Sequence, residues 1–392
     1  MQASIWRHDT DSRVSKMKFG VEEKILWPAF LIGVLALFIF VPTAQAQGTK
    51  NLPPPPPPWR PKPTPTPKPE PEVIEDVIKT TSNLVMVPVS VTDQTGQAVQ
   101  GLKVADFRLL EEGKQQEISG IGDPEQVPLA IALLFDVSSS TRQKEFFELQ
   151  QNAAATFLRL VMKPSDRAAI FTITREPTLI QPLASAETSA AKMLSIPPAS
   201  GAGVPTAFYD TVTAAAKYLS SNAPSNFRRV IVVMSDGDDN NSEQIRDQAV
   251  ADYRDKNAGK QEVLGSRAGL LNAHQRAVAQ VQKAVQQSDA IFYAVNPGGP
   301  SIKLNLISMR AERGMESIAE ATGGTAFVPD SDKDLERVFR QVAAELRGQY
   351  LLQYYGDSDA PAGQFRKISV AVPARADVRV RARQGYYPKK QN

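Results

Sequence analysis

The chain has 392 residues, of which 42% are hydrophobic and 22% charged, and a formal net charge of +3, which leaves room for one full-sized folded domain and something smaller beside it. Basic and acidic side chains are interspersed, with no Lys/Arg stripe and no aromatic ladder, so the composition argues against nucleic acid as a partner. Cysteine is absent and the only histidines are His8 and His274, which excludes disulfides, thiolate metal clusters, thiol catalysis and any His-based triad.

Residues 25–41 (ILWPAFLIGVLALFIFV) form an apolar run preceded by Lys16, Lys18 and Lys24 and followed by Pro42 and Ala44-Gln45-Ala46. This is the layout of a secretory signal peptide, expected over residues 1–46 with cleavage after Ala46. The competing reading is an uncleaved membrane anchor, because the run is at the short end for a span. Met17 is an alternative start, and the lack of a following cysteine excludes a lipid anchor. The expected location is therefore extracellular, periplasmic or in the cell envelope. Residues 47–72 contain PPPPPPWRPKPTPTPKPEPE. Their prolines fix φ and remove amide donors, so a polyproline II spacer of about 3 Å per residue is expected.

A β flank is expected on each side of the folded centre. Over residues 73–123, NLVMVPVSVTD (83–93) alternates apolar and polar side chains, QTGQ supplies a turn, and FRLLEEGKQQEI (107–118) reads as a hairpin around Glu112-Gly113. Over residues 348–392, the segments 349–355, 365–372 and 378–387 have the same period of two. Each flank alone would expose an apolar face, so the two are expected to pack into one small β-sandwich.

Between them, over residues 124–347, strands alternate with helices. LAIALLFD (129–136) is a continuous apolar run, as in a strand buried on both faces. After it come a helix over 142–162, a strand over 167–174, a helix over 207–219, a strand over 228–236 and a long polar helical region over 242–287. The strand AIFYAV (290–295), a helix around 315–321, the short strand TAFV and a last helix over 331–347 complete the series. Such alternation predicts an α/β fold: a doubly wound, mostly parallel Rossmann-like sheet with helices on both faces.

In such sheets ligands sit at the carboxyl ends of the strands, where strand order reverses. The first strand of the series ends in Asp136-Val-Ser138-Ser-Ser140, so three oxygen-bearing side chains leave it at alternate positions. Thr206 opens a helix after GAGVP, and Asp236 ends a strand in MSDGDDN. Taken singly, Asp136 to Ser140 read equally well as a helix cap, Thr206 reads more readily as a cap than as a ligand, and Asp236-Gly237 reads as an ordinary turn. Together, carboxylates and hydroxyls completed by water are the donor set of a hard cation: Mg2+, with Mn2+ or Ca2+ as alternatives.

This combination resembles the metal-ion-dependent adhesion site of von Willebrand factor type A domains, with a DxSxS motif, a threonine at a helix start and an aspartate in a strand-end (S/T)DG loop. AEATGGTAF (319–327) is similar to the family's late helix-to-strand turn, and the resemblance covers about residues 127–347. The segments DFRLLEEGK, FRKISVAV and VRARQGYY are similar to the flanks of the acidobacterial VWFA-related subgroup. The resemblance implies that Asp136, Ser138 and Ser140 are first-loop ligands, Thr206 a second-loop ligand, and Asp236 a direct or water-mediated ligand. It also implies a partner protein that completes the metal with an Asp or Glu carboxylate, and a final helix that shifts on binding. The charged stretch 244–287 departs from the family as an insertion beside the binding face. The expected function is non-enzymatic, metal-dependent binding or adhesion; the alternative is a metal-independent envelope scaffold. Hydrolysis would need a positioned general base; Asp238 or Asp239 could be proposed, but neither has the surrounding acid/base machinery.

Overall fold

The computed structural model describes residues 83–137, 144–198, 203–257, 263–300, 305–331, 334–357 and 361–388. The expected leader and the proline-rich stretch lie outside these residues, as do Ser138 and Ser140. All described residues belong to one unit, residues 77–392.

The alternation that predicts the first strand is realised in β1 (Leu84–Thr92), which buries Val85, Val87, Val89 and Val91. Its neighbours are β11 (Tyr350–Tyr355) and β13 (Arg379–Ala382), both antiparallel to it and both from the other end of the chain. Adding β4 (Ile118–Gly122) gives a sheet of order β13-β1-β11-β4. The hairpin of β2 (Arg108–Glu111) and β3 (Lys114–Gln116) turns at Glu112 and Gly113, with φ of 48° and 78°. Two successive positive φ angles are what a tight hairpin turn matched to strand twist requires. With β12 (Arg366–Ala371) and β14 (Gly385–Tyr386) this hairpin makes a second sheet, β14-β12-β2-β3. Val87, Leu109, Leu352, Tyr354 and Ile368 share one core between the sheets. Each sheet takes two strands from each flank, so the predicted sandwich is present and neither flank completes it alone.

The central sheet has the order β10-β9-β8-β5-β6-β7, built from β5 (Leu129–Asp136), β6 (Arg167–Ile173), β7 (Thr178–Ala184), β8 (Arg228–Met234), β9 (Ala290–Val295) and β10 (Ala326–Phe327). All neighbours are parallel except β6 and β7. Every residue of β5 is buried. Its odd-numbered side chains (Ile131, Leu133, Phe135) join one core with α1 (Lys144–Val161), α2 (Ala186–Leu194) and α7 (Leu335–Gly348). Its even-numbered ones (Ala130, Ala132, Leu134) join a second core with α3 (Phe208–Asn222), α5 (Val263–Gln287) and α6 (Leu306–Thr322). The period of two in a strand therefore feeds both faces, and each fully buried leucine contributes about 1.5–3 kcal/mol. Among the described residues no helix is long and apolar enough to cross a membrane.

Three features correct the reading from sequence. The helical region over 242–287 is two helices, α4 (Glu243–Asn257) and α5; among the described side chains of α4, only Ile245 reaches the core. Strand β7 was not expected: it carries Pro182 and is only partly buried, as befits an antiparallel edge strand whose backbone is half unpaired. Helix α2, capped by Ser185 accepting from Thr188 N, was not expected either. Helix α7 runs into β11 through the single residue Gln349, so the last helix of the α/β unit and a central strand of the sandwich are one continuous piece of chain.

Candidate metal centre

Strands β5 and β8 are parallel neighbours with Phe135 opposite Met234, and from this pair the chain winds outward in opposite directions. Their carboxyl ends are thus the point where strand order reverses, and Asp136 and Ser235 leave them side by side. The Ser235 hydroxyl donates to Asp136 Oδ2 at 2.6 Å and accepts from Gly237 N at 2.9 Å. Asp136 is 2% exposed, so its carboxylate is presented from inside the sheet edge. The turn needs glycine at 237: φ is 75°, and a Cβ there would lie 2.8 Å from the Met315 side chain.

Thr206 is brought to the same edge by the loop after β8. Its amide donates to Asn240 Oδ1, and its carbonyl accepts from the amides of Asn240 and Asn241, at 2.9, 3.1 and 3.0 Å. The backbone of Thr206 is therefore engaged while its hydroxyl, in a residue 6% exposed, makes no hydrogen bond to any described residue. Asp236 is half-buried and accepts from Asp238 N at 3.1 Å.

Asp239 has a different task from the one sequence allowed it. It accepts from Tyr209 N, Asn241 N, Ser242 N and the Ser242 hydroxyl, pinning the loop to the start of α3. Burial pushes its carboxyl up, against those hydrogen bonds. Burial also raises Asp238, followed by the charge of Asp236, with Arg310 of α6 opposing; the Arg310 guanidinium lies 3.7 Å from Asp238 Oδ1. Beneath the loop, Tyr209 Oη and His274 Nδ1 are 3.3 Å apart, and burial followed by the charge of Arg310 lowers His274 to about 4.

Of the five residues expected at the site, Asp136, Thr206 and Asp236 are described, and the structure ties all three to the loop 235–241. Ser138 and Ser140 lie outside the described residues. Among the described residues no group of three or more His, Cys, Asp or Glu side chains could hold a metal. A cation here would rely on hydroxyl and water oxygens beside two carboxylates, which suits a hard ion. The buried carboxylate and the spare threonine hydroxyl fit that role. Sequence reasoning gave no role to Asn240 and Asn241, and it met Ser235 only as the first residue of the (S/T)DG motif; that Ser235 hydrogen-bonds Asp136 follows from the ends of two adjacent strands lying side by side.

Residues 130–259 match the family model of the von Willebrand factor type A domain. No curated protein matches the chain. Among solved structures, a von Willebrand factor type A protein from Catenulispora acidiphila is 13% identical, with 79% of this chain and 64% of that one covered and a TM-score of 0.41. Proximal thread matrix protein 1 from the mussel byssus, with a zinc-occupied MIDAS motif, is 15% identical over 59% of this chain and 48% of its own, at a TM-score of 0.40. The PilB minor pilin from Streptococcus sanguinis is 11% identical over 57% and 62%, at 0.41. The chain thus spans about half the length of the mussel protein. The family match falls on the strands and loops that bring Asp136, Thr206 and Asp236 together, so residues 130–259 of the central α/β unit are similar to a von Willebrand factor type A domain.

Proposed function

We propose that this is an exported binding protein whose von Willebrand factor type A domain holds a divalent cation, Mg2+ in the first instance, through Asp136, Ser138, Ser140, Thr206 and Asp236. Through that cation it binds an acidic side chain of a partner protein. The observation that carries the reading is the pairing of a 2% exposed Asp136 carboxylate with a Thr206 hydroxyl that has no described partner, on loops locked together at the switch point of the sheet. A cation held by few carboxylates keeps positive charge for an incoming anion. The chain's own contribution is orientation: Ser235 fixes the Asp136 carboxylate, Asn240 fixes Thr206, and Asp239 fixes the loop that carries Asp236. With Asp239 committed to four hydrogen bonds, binding is favoured over hydrolysis. Export is proposed on the leader sequence, and the acidobacterial subgroup on the flanking sequences.

Thermal unfolding of the purified protein with Mg2+ or EDTA, beside Asp136→Ala, tests the cation. A ligand that binds only the folded state at 100 times its Kd stabilises by about 2.7 kcal/mol. The melting temperature is expected to rise with millimolar Mg2+ in the wild type and not in the variant. Equal melting with Mg2+ and EDTA in the wild type would remove the site, and partner binding that persists in EDTA would favour the metal-independent scaffold.

A further inference from the structure

Arg310, on the second turn of α6, belongs to no motif in the sequence, yet it lies against the loop after β8. Its guanidinium lies 3.7 Å from Asp238 on the loop after β8, and its charge reaches Tyr209 on α3 and His274 on α5. The contact with Asp238 is a charge contact longer than a hydrogen bond, and Arg310 makes no hydrogen bond to any described residue. Its side chain is 24% exposed, so beside Asp238 part of it stays open to solvent. Asp238, in turn, is one residue beyond Gly237 from the candidate ligand Asp236, whose Oδ1 its amide donates to.

A guanidinium carries five donors in a planar fork suited to a carboxylate. We propose that Arg310 is a specificity-determining residue of the candidate site: it provides a second anion contact beside the cation, so that the domain selects a partner segment with two adjacent acidic side chains over one with a single acid. This inference rests on the cation reading above and sharpens it. One carboxylate meets the cation, and its neighbour meets the Arg310 fork. His274 does not compete for the anion, because at about 4 it is neutral at physiological pH.

The test uses the full chain, Mn2+ and two short glycine-rich peptides, one with a single aspartate and one with two adjacent aspartates. Calorimetry first measures Mn2+ binding, then each peptide to the Mn2+-loaded protein, for the wild type, Arg310→Gln, Arg310→Lys and Arg375→Gln. Arg375, paired with Asp377 in the sandwich, controls for net charge. The wild type is expected to prefer the two-aspartate peptide by on the order of tenfold, the worth of one charge-assisted contact. In Arg310→Gln the preference falls to about the statistical factor of two, in Arg310→Lys part of it survives, and in Arg375→Gln it is intact. Removing a positive charge beside Asp238 also lessens the repulsion on a divalent ion nearby, so Arg310→Gln is expected to bind Mn2+ more tightly. Mn2+ binding with no preference in the wild type, or a preference that survives in Arg310→Gln, overturns the role of Arg310 and leaves the cation reading standing. No Mn2+ binding by the wild type overturns both.

Discussion

The carboxyl end of the central sheet and the seam between α7 and the sandwich both bury polar groups, but they satisfy them in different ways. At the sheet end most hydrogen bonds stay within the loop 235–242 or cross to the start of α3, and the Thr206 hydroxyl has no partner among the described residues. At the seam the partners come from across the whole chain. Gln349 donates to Ser90 Oγ, 259 residues away, and to Tyr293 Oη, while its carbonyl oxygen accepts from Arg228. Glu345, 4% exposed, pairs with Arg381 at 2.6 Å and accepts from Thr325. The contrast separates a surface arranged to receive something from an interior arranged to hold two halves together.

The seam is where the contrast breaks most severely. Arg381→Ala leaves a buried carboxylate without its cation and is expected to cost about 3 kcal/mol, the low end for a buried pair because Arg381 is 25% exposed. Burial already holds the Glu345 carboxyl above its ordinary value, with Arg381 pulling it back. Without Arg381 the folded state keeps its proton to higher pH than the unfolded chain, so stability falls as pH rises. Urea unfolding should therefore show a larger deficit at pH 8 than at pH 5, and an equal deficit at both would contradict the pairing.

Next in size is His274, beneath the candidate site. Its folded value of about 4 lies below the ordinary 6.5, so on acidification the unfolded chain takes up the proton first. The stability present above pH 6.5 declines towards pH 4, by on the order of 2 kcal/mol. His274→Gln should flatten that decline in denaturation curves at pH 7 and 4.5; an unchanged slope would place the acid sensitivity elsewhere. The smallest effect belongs to the site loop. Gly237→Ala forces a side chain into φ 75° against Met315 and is expected to cost about 1–2 kcal/mol. It should also weaken any Mg2+-dependent rise in melting temperature while leaving the seam's pH dependence alone. If it weakened both, the two regions would not be independent.

Much of this architecture was legible before the fold was seen. The runs 129–136 and 290–295 correspond to β5 and β9 to the residue, because a strand buried on both faces is apolar along most of its length. Asp136 and Asp236 stood out because oxygen-bearing residues at the ends of such runs face the reversal point of a parallel sheet, and Thr206 because it opens a helix after the GAGVP segment. Strand β7 was obscured by Pro182 and its partly exposed side chains, and α2 by its length of nine residues. The break between α4 and α5 was hidden by a polar composition that suits any exposed helix.

By itself, then, the sequence determined the α/β alternation, the pairing of two β flanks, and a set of oxygen donors suited to a hard cation, since each follows from local periodicity and residue chemistry. Only the tertiary structure decided that each sandwich sheet interleaves strands from both ends of the chain, that Ser235 and Asn240 orient the candidate ligands, and that Arg310 lies beside Asp238. Those facts depend on contacts between residues tens to hundreds of positions apart, which periodicity along the chain does not encode.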